Sequence, residues 1–198
     1  MNNFKQLQSR HKLLQEPFIR SCEARAENIH PSMLSYWKKK GYLEQIERGL
    51  YKNNQIKTDI SFEWEDLINT VLAIPHGVVT GISALALYGI TDEIPRAHWI
   101  AIPNNTSTAD RINAKILRLR NHEVGIIKIK IDGVEIPIYS IERTIVDAFR
   151  FLSIETAIKA LKEAFAPTQM NRPDIKKINE YAKKLRVKIG PYLLMVTT

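Results

Sequence analysis

The sequence contains few of the residues that build disulfides and metal sites. It has one cysteine, Cys22, among 198 residues, so no disulfide can form within the chain. A lone cysteine among helix-forming residues is typical of a structural thiol in a reducing compartment. The five histidines are scattered, whereas zinc sites need clustered His and Cys ligands. We therefore expect no metal ion and no cofactor.

Glycine and long apolar runs are also scarce. The chain has 8 glycines, and none forms the Gly-rich loop that cradles a phosphate. Nucleotidyltransferases hold Mg²⁺ with an alternating acidic pair on a strand, but Asp92-Glu93 is adjacent, and Asp132 and Glu135 flank a turn. No apolar run approaches the ~18 residues of a membrane span, and the first residues lack the apolar core of a secretory signal. These absences predict a cytoplasmic protein that contacts no membrane and is not an enzyme.

What the sequence does have is an uneven positive charge. Lys and Arg number 29 against 21 Asp and Glu, a net charge of +8. Residues 1–55 hold 10 basic and 5 acidic residues (+5), residues 56–170 hold 12 and 14 (−2), and residues 171–198 hold 7 and 2 (+5). A clustered basic surplus favours a polyanionic partner such as nucleic acid. Both ends of the chain are therefore candidates for such contacts.

The spacing of apolar residues predicts an α+β protein of two domains. The polar stretch Lys52–Thr58 is typical of a linker and divides a domain over 1–55 from one over 58–198. The first domain is predicted to hold three helices and then two short strands, at about 3–15, 18–27, 31–40, 42–46 and 49–52. The second is predicted to hold a small, mainly antiparallel sheet, a helix capped by Ser140, a basic helix at about 172–186 and an apolar tail.

Three short helices followed by a two-stranded ribbon, at a net charge of +5, are the arrangement of a winged helix-turn-helix. In that module the third helix enters the major groove while the wing contacts phosphate. Leu34 and Trp37 are predicted to pack on the first two helices, with Leu43 covering the end. The predicted DNA-binding residues lie on the other side of the third helix and on the wing: Ser32, Ser35, Tyr36, Lys38, Lys39, Arg48 and Lys52.

Structural explanations stay open for part of this set. Lys38–Lys40 lie near a helix end, where cations complement the helix dipole and are simply solvated. Tyr36 is also compatible with a packed aromatic residue. The sequence alone does not decide between these roles and contacts with DNA.

Three motifs, taken together, resemble the AbiEi-type antitoxins. The segment from His30 to Tyr51 looks like the N-terminal winged helix of that family. Gly81–Thr91 is similar to its Ser-Ala-Leu…Gly-Leu-Thr element, and Tyr139–Ala148 is similar to its Pro-Glu-Arg-Thr-Ile-Val-Asp-Ala element. The family often has Ser/Thr-Pro where this chain has Ser140-Ile141, a departure that affects capping. The resemblance spans most of residues 10–165 and does not extend to the tail after about residue 170.

The resemblance implies a DNA-binding antitoxin of a type IV toxin-antitoxin system, linked to abortive infection by phage. Its N-terminal domain would bind double-stranded operator DNA and repress its own operon. Its C-terminal domain would neutralise a nucleotidyltransferase-like toxin of the AbiEii type, and family members are described as doing so without a stable complex. The residues expected on an antitoxin surface are Arg143 and Asp147 and, beyond the part of the chain that resembles the family, Lys176, Lys177, Lys183 and Lys184.

Other roles are open for these residues and for the protein. Arg143 and Asp147 lie four apart on one predicted helix and can form a structural ion pair. The lysines lie on a helix with an apolar packing stripe, so they can form a solvated face or a second nucleic-acid contact. Two alternative functions remain: a winged-helix regulator whose second domain senses a ligand or mediates assembly without a toxin, and a nucleic-acid-processing enzyme with a degenerate motif.

Overall fold

The computed structural model describes Phe4, Gln8, residues 11–169 and residues 171–197. The chain divides into two compact units, of which the first comprises residues 1–74 and 130–136 and the second residues 75–129 and 137–198. The first unit contains the predicted domain over 1–55 and extends beyond it. Within the described residues, no helix is both long and apolar enough to cross a lipid bilayer.

The first unit is built from short helices and a three-stranded sheet. In chain order it contains a 3₁₀ helix (Lys12–Gln15), strand β1 (Phe18–Arg20), helices α1 (Ser21–Ala26) and α2 (Pro31–Lys39), strands β2 (Leu43–Glu47) and β3 (Leu50–Asn53), and helix α3 (Phe62–Ala73). Strand β3 is central and pairs antiparallel with both β1 and β2. In the turn between α1 and α2, Asn28 takes the left-handed conformation with φ of 60°, which asparagine tolerates better than most residues.

The predicted helix over 18–27 is wrong in its first residues. Phe18–Arg20 form β1, in which Phe18 lies opposite Lys52, and the helix begins only at Ser21. The prediction failed because Phe18 and Ile19 are buried beside a strand that is distant in sequence, and the local pattern carries no information about that strand. The predicted helix over 3–15 lies largely outside the described residues, and within the described part residues 12–15 form the 3₁₀ helix.

An apolar cluster holds α2 against the rest of the first unit. The Trp37 ring is 1% exposed and meets Phe4 edge-on, with 5.1 Å between the ring centroids. Burial of a large apolar side chain contributes about 1.5–3 kcal/mol, so Trp37 and the similarly buried Leu34 anchor the helix. The buried members of the cluster are Phe4, Leu14, Ile19, Ala24, Ile29, Leu34, Trp37 and Leu43.

The second unit combines most of a five-stranded sheet with five helices in its described part. The elements that lie wholly or, for β7 and β8, partly in this unit are, in chain order, β4 (Val78–Val79), α4 (Gly81–Leu87), β5 (His98–Pro103), β6 (Ala114–Leu119), β7 (Ile126–Ile131), β8 (Val134–Tyr139), α5 (Ile141–Phe151), α6 (Ile154–Ala164), α7 (Ile175–Leu185) and α8 (Gly190–Thr197). The strand order is β6-β5-β4-β8-β7. The α+β class is confirmed, and this sheet is mixed, because β5 runs parallel to β6 and β4 parallel to β8 while β4 and β5 are antiparallel.

The helices of the second unit share one apolar core. As predicted, Ser140 caps α5, because its hydroxyl accepts a hydrogen bond from the Arg143 backbone N–H at 3.3 Å. The apolar tail forms α8, which buries Leu193 while Leu194 stays 67% exposed. Buried members of the core from successive helices include Leu85, Ile145, Val146, Leu161, Ile178 and Leu193.

Candidate nucleic-acid interface

Helix α2 begins and ends at well-defined signals. Pro31 occupies its first turn, where the missing backbone N–H costs no hydrogen bond. The ring Nδ1 of His30 accepts a hydrogen bond from the Ser32 backbone N–H at 3.3 Å and caps the helix. At the other end Gly41 takes a φ of 75°, a conformation that glycine adopts without strain. These local features set the orientation of every side chain on the helix.

The helix has one buried face and one exposed face. Leu34 and Trp37 are buried, as the sequence predicted, and Leu43 covers the end of the helix. Residues spaced by three, four and seven positions fall on one side of an α-helix. The exposed side carries four of the predicted DNA-binding residues: Ser32, Ser35, Tyr36 and Lys39.

Tyr36 is a surface residue and not a packed aromatic. Its side chain is 46% exposed, and the Lys40 Nζ lies 5.7 Å from the centre of its ring. A cation over an aromatic face is held there electrostatically, so Tyr36 and Lys40 form a joint aromatic and cationic surface. Lys40 was not among the predicted contact residues. Its spacing of four residues from Tyr36 places both side chains on the same side of the helix, and the sequence alone shows that spacing.

Lys38 connects α2 to the sheet. Its Nζ donates a hydrogen bond to Oε1 of Gln45 on β2 at 2.8 Å, and the amide of Gln45 donates to the Glu47 carbonyl at 3.3 Å. The structure therefore shows Lys38 bound within the unit, where it fixes the helix against β2. Gln45 was missed by sequence reasoning because it lies seven residues away on another element.

The two remaining predicted residues lie on the sheet. Arg48 is exposed in the turn between β2 and β3, where Gly49 has a φ of 85°. Lys52 lies on β3, and its Nζ is 4.0 Å from Oε1 of Glu65 on α3. Arg48 thus presents an exposed cation at the turn, whereas Lys52 is partly neutralised by an acidic neighbour.

Arg143 and Asp147 do not lie on a surface, which corrects the expectation that they belong to an exposed antitoxin site. Both side chains are 0% exposed, and Nε of Arg143 donates to Oδ2 of Asp147 at 2.7 Å. Arg143 Nη1 also donates to the carbonyls of Asn121 and Val124. A buried pair with these additional bonds is a structural ion pair, the alternative that the spacing had left open.

The basic helix α7 has the two faces that its sequence predicted. Ile178, Ala182 and Leu185 are buried, and Asp174 caps the helix by accepting from the Lys176 backbone N–H at 2.8 Å. The four lysines expected on the antitoxin surface, Lys176, Lys177, Lys183 and Lys184, are all exposed. These lysines are available to an acidic partner.

Burial favours the neutral forms of two titratable groups inside the second unit, His122 and Tyr139. Burial lowers the pKa of His122 below its ordinary value, and burial raises the pKa of Tyr139. The Tyr139 hydroxyl donates to the His122 carbonyl at 2.8 Å, so both groups belong to the packed interior. Over the described part of the chain, no three His, Cys, Asp or Glu side chains are grouped closely enough to hold a metal ion.

Comparison with protein families supports the resemblance in the first unit. Residues 12–53 match the family described as transcriptional regulator, AbiEi antitoxin. The match covers β1, α1, α2, β2 and β3, and it therefore includes every predicted DNA-binding residue. A search of curated proteins found no match. The predicted similarity to AbiEi-type antitoxins is thus confirmed for this stretch.

Proposed function

We propose that this protein is a cytoplasmic antitoxin and transcriptional repressor, in which the first unit binds double-stranded operator DNA as a winged helix-turn-helix. The family that matches residues 12–53 consists of transcriptional regulators. The observation that carries the proposal is the exposed face of α2, with Ser32, Ser35, Tyr36 and Lys39 on the side opposite the buried Trp37.

Helix α2 would act as the recognition helix. A helix of this kind lies in the major groove, where its polar side chains reach base edges and phosphates. Ser32 and Ser35 offer short hydroxyl groups near the helix start, although the Ser32 hydroxyl lies 2.8 Å from Nδ1 of His30 and the Ser35 hydroxyl donates to the Pro31 carbonyl at 3.3 Å. Tyr36 and Lys39 reach further and suit contacts with a base or a phosphate.

The β2–β3 ribbon would act as the wing. Arg48 at its turn is placed to contact phosphate or the minor groove, and Lys52 would contribute once DNA competes with Glu65 for its ammonium group. Lys38 would hold α2 in register with the wing through Gln45, so its contribution to binding would be partly one of positioning.

The second unit would neutralise a nucleotidyltransferase-like toxin. The exposed lysines of α7 are the residues that we assign to this role, because the helix presents them to solvent on the side away from its packed face. Neutralisation would be functional and would not need a stable complex with the toxin. The protein would have no enzymatic activity of its own.

The repressor function is tested by DNA binding. Fluorescence anisotropy at moderate salt should show tighter binding to the DNA upstream of this gene than to a random duplex of equal length. Specific sites are typically bound at least about 10³-fold more tightly than non-specific DNA. Equal affinity for both duplexes would exclude sequence-specific repression.

The antitoxin function is tested by growth rescue. Expression of the adjacent gene should arrest growth, and co-expression of this chain should restore it. A variant with Lys176, Lys177, Lys183 and Lys184 changed to Gln should fail to rescue while it still binds operator DNA. If full rescue persists in that variant, the lysine face plays no part in neutralisation.

A ligand-sensing second domain is the alternative that a specific observation favours. The second unit contains an open cavity lined by Arg150, Arg186 and Lys188 together with aromatic side chains. A regulator of this kind would change its operator affinity when the cavity is filled, and it would not affect the toxicity of a neighbouring gene product.

A further inference from the structure

A cavity of about 480 Å³ lies in the second unit, between the C-terminal ends of α5 and α7 and the start of α8. It is open to solvent, and its volume falls within the range of about 300–1,000 Å³ that small-molecule sites occupy. Its lining includes three cations and three aromatic rings: Arg150, Arg186, Lys188, Phe149, Phe151 and Tyr192. None of the described lining residues is acidic.

The positive charge of the cavity lining exceeds the negative charge that the neighbouring helix ends and Asp147 supply. Arg150 is in the last turn of α5, and Arg186 and Lys188 directly follow α7, where basic residues complement the helix dipole. The C-terminal end of a helix carries roughly −0.5 of an elementary charge, so the C-terminal ends of α5 and α7 together offset one of the three cations. Asp147 contacts Arg150 at 2.6 Å, but its single negative charge is already matched by the buried Arg143. A surplus of about two positive charges therefore remains.

One of the three cations, Arg150, is held in place before any ligand binds. Arg150 is fixed by Asp147, and its guanidinium carbon lies 4.5 Å from the centre of the Phe151 ring. Arg186 takes a φ of 59°, a left-handed conformation that favours glycine or asparagine at a helix end. Arginine occupies this position despite the unfavourable backbone, and its side chain is part of the cavity lining.

The aromatic part of the lining suits a planar group. Phe149 and Tyr192 lie against each other with 5.1 Å between their ring centroids, and both are only partly buried. Nucleic-acid bases stack on such rings with little preference among the four bases. An inorganic phosphate would leave the rings and most of the volume unused, and a purely apolar ligand would leave the cations unused.

We propose that this cavity binds a nucleoside monophosphate. A phosphate monoester carries about −1.5 to −2 charges at neutral pH, which matches the surplus. Arg186, Lys188 and Arg150 would bind the phosphate oxygens, and the base would stack against Phe149 and Tyr192. The site lies wholly in the second unit and does not depend on operator binding by the first.

The test is calorimetric titration of the full chain with AMP, GMP, CMP and UMP, and with adenosine, ribose 5-phosphate and inorganic phosphate. At least one nucleotide should bind saturably and about tenfold more tightly than ribose 5-phosphate, because stacking of a base adds affinity. Absence of saturable binding at millimolar nucleotide, or equal binding of ribose 5-phosphate, overturns the proposal.

Variants locate the site. Arg186→Gly removes a cation and also relieves the left-handed backbone, so it should fold at least as well as the wild type and bind the nucleotide about tenfold more weakly. Lys188→Gln should weaken binding similarly. Lys177→Gln removes the same charge at the far end of α7 and should leave binding unchanged. Unchanged affinity in Arg186→Gly and Lys188→Gln, or an equal loss in Lys177→Gln, would place the nucleotide elsewhere.

Discussion

Nε of Arg143 donates a hydrogen bond to Oδ2 of Asp147 at 2.7 Å, with both side chains fully removed from solvent. The same guanidinium donates to the carbonyls of Asn121 and Val124, at 3.1 and 2.8 Å. It also lies 4.4 Å from the centre of the Tyr139 ring. The pair therefore ties helix α5 to the segment that leads into β7, and its role is to hold the second unit together.

Breaking this ion pair should strongly destabilise the second unit. Asp147→Leu should lower the free energy of unfolding by about 3–5 kcal/mol, because it leaves the buried Arg143 without its carboxylate. Arg143→Met should lower it less, because Asp147 keeps its contact with Arg150 at 2.6 Å. The double variant should lose less than the two single losses added together. Urea unfolding of the wild type, the two single variants and the double variant measures this double-mutant cycle. Single losses below about 1 kcal/mol, as for an exposed pair, would contradict the structural role.

A β-carbon at Gly81 should be far more costly than one at Gly89. Both glycines have positive φ, at 53° and 64°, but a Cβ at Gly81 would lie 2.3 Å from Cε3 of Trp99 while Gly89 faces open space. Gly89→Ala should cost about 1–2 kcal/mol from the backbone alone. Gly81→Ala should cost a further ~1–3 kcal/mol because Trp99 must move. Equal thermal stabilities of the two variants would show that Trp99 can move without lowering the stability of the protein.

The stability of the second unit should fall as the pH drops below about 6.5. Burial lowers the pKa of His122, against smaller opposing effects of the Ala101 and His76 backbone and of Glu123. The unfolded chain then takes up a proton that the folded chain resists, so the free energy of unfolding decreases as the pH falls from the unfolded pKa through the folded one. His122→Gln should flatten this dependence in urea unfolding between pH 8 and pH 5. An identical pH dependence of stability in the wild type and His122→Gln would show that His122 does not cause it.

Glu65→Gln should strengthen binding to operator DNA. Glu65 lies 4.0 Å from Lys52 on a partly exposed surface, where such a pair is worth at most about 1 kcal/mol. Its loss frees Lys52 for a phosphate and should raise operator affinity by about two- to fivefold. Glu63→Gln on the same helix removes an equal charge and serves as the control in anisotropy titrations. If both variants gain equally, the effect is one of net charge and not of Lys52.

Local signals predicted the features of the fold that local geometry decides. The cap at Ser140, the buried face of Leu34 and Trp37, and the exposed face of α2 all follow from spacing within one helix. The resemblance over the first unit followed from a contiguous stretch and was confirmed there. For the cap and for the two faces of α2, the residues that determine the outcome lie on one short helix.

Contacts between distant segments were not predicted. The pairing of Phe18 with Lys52 turns an apparent helix start into a strand, and the bond between Lys38 and Gln45 joins two elements. Arg143 and Asp147 have the charged pattern of an exposed helix face, yet the residues 141–148 are all buried. Burial on every side of a helix depends on the whole fold, so the sequence of that helix alone does not reveal it.

If the exposed face of α2 binds operator DNA, substitutions on that face should change the operator affinity and its salt dependence. We expect Lys39→Gln to reduce the slope of log K against log salt by about one unit, and Tyr36→Ala to lower the affinity for operator by ~1–3 kcal/mol with the fold intact. Lys159→Gln, an exposed lysine of α6 in the second unit, should leave both quantities unchanged. If the Lys39 and Tyr36 variants bind operator as the wild type does, the recognition face lies elsewhere on the protein.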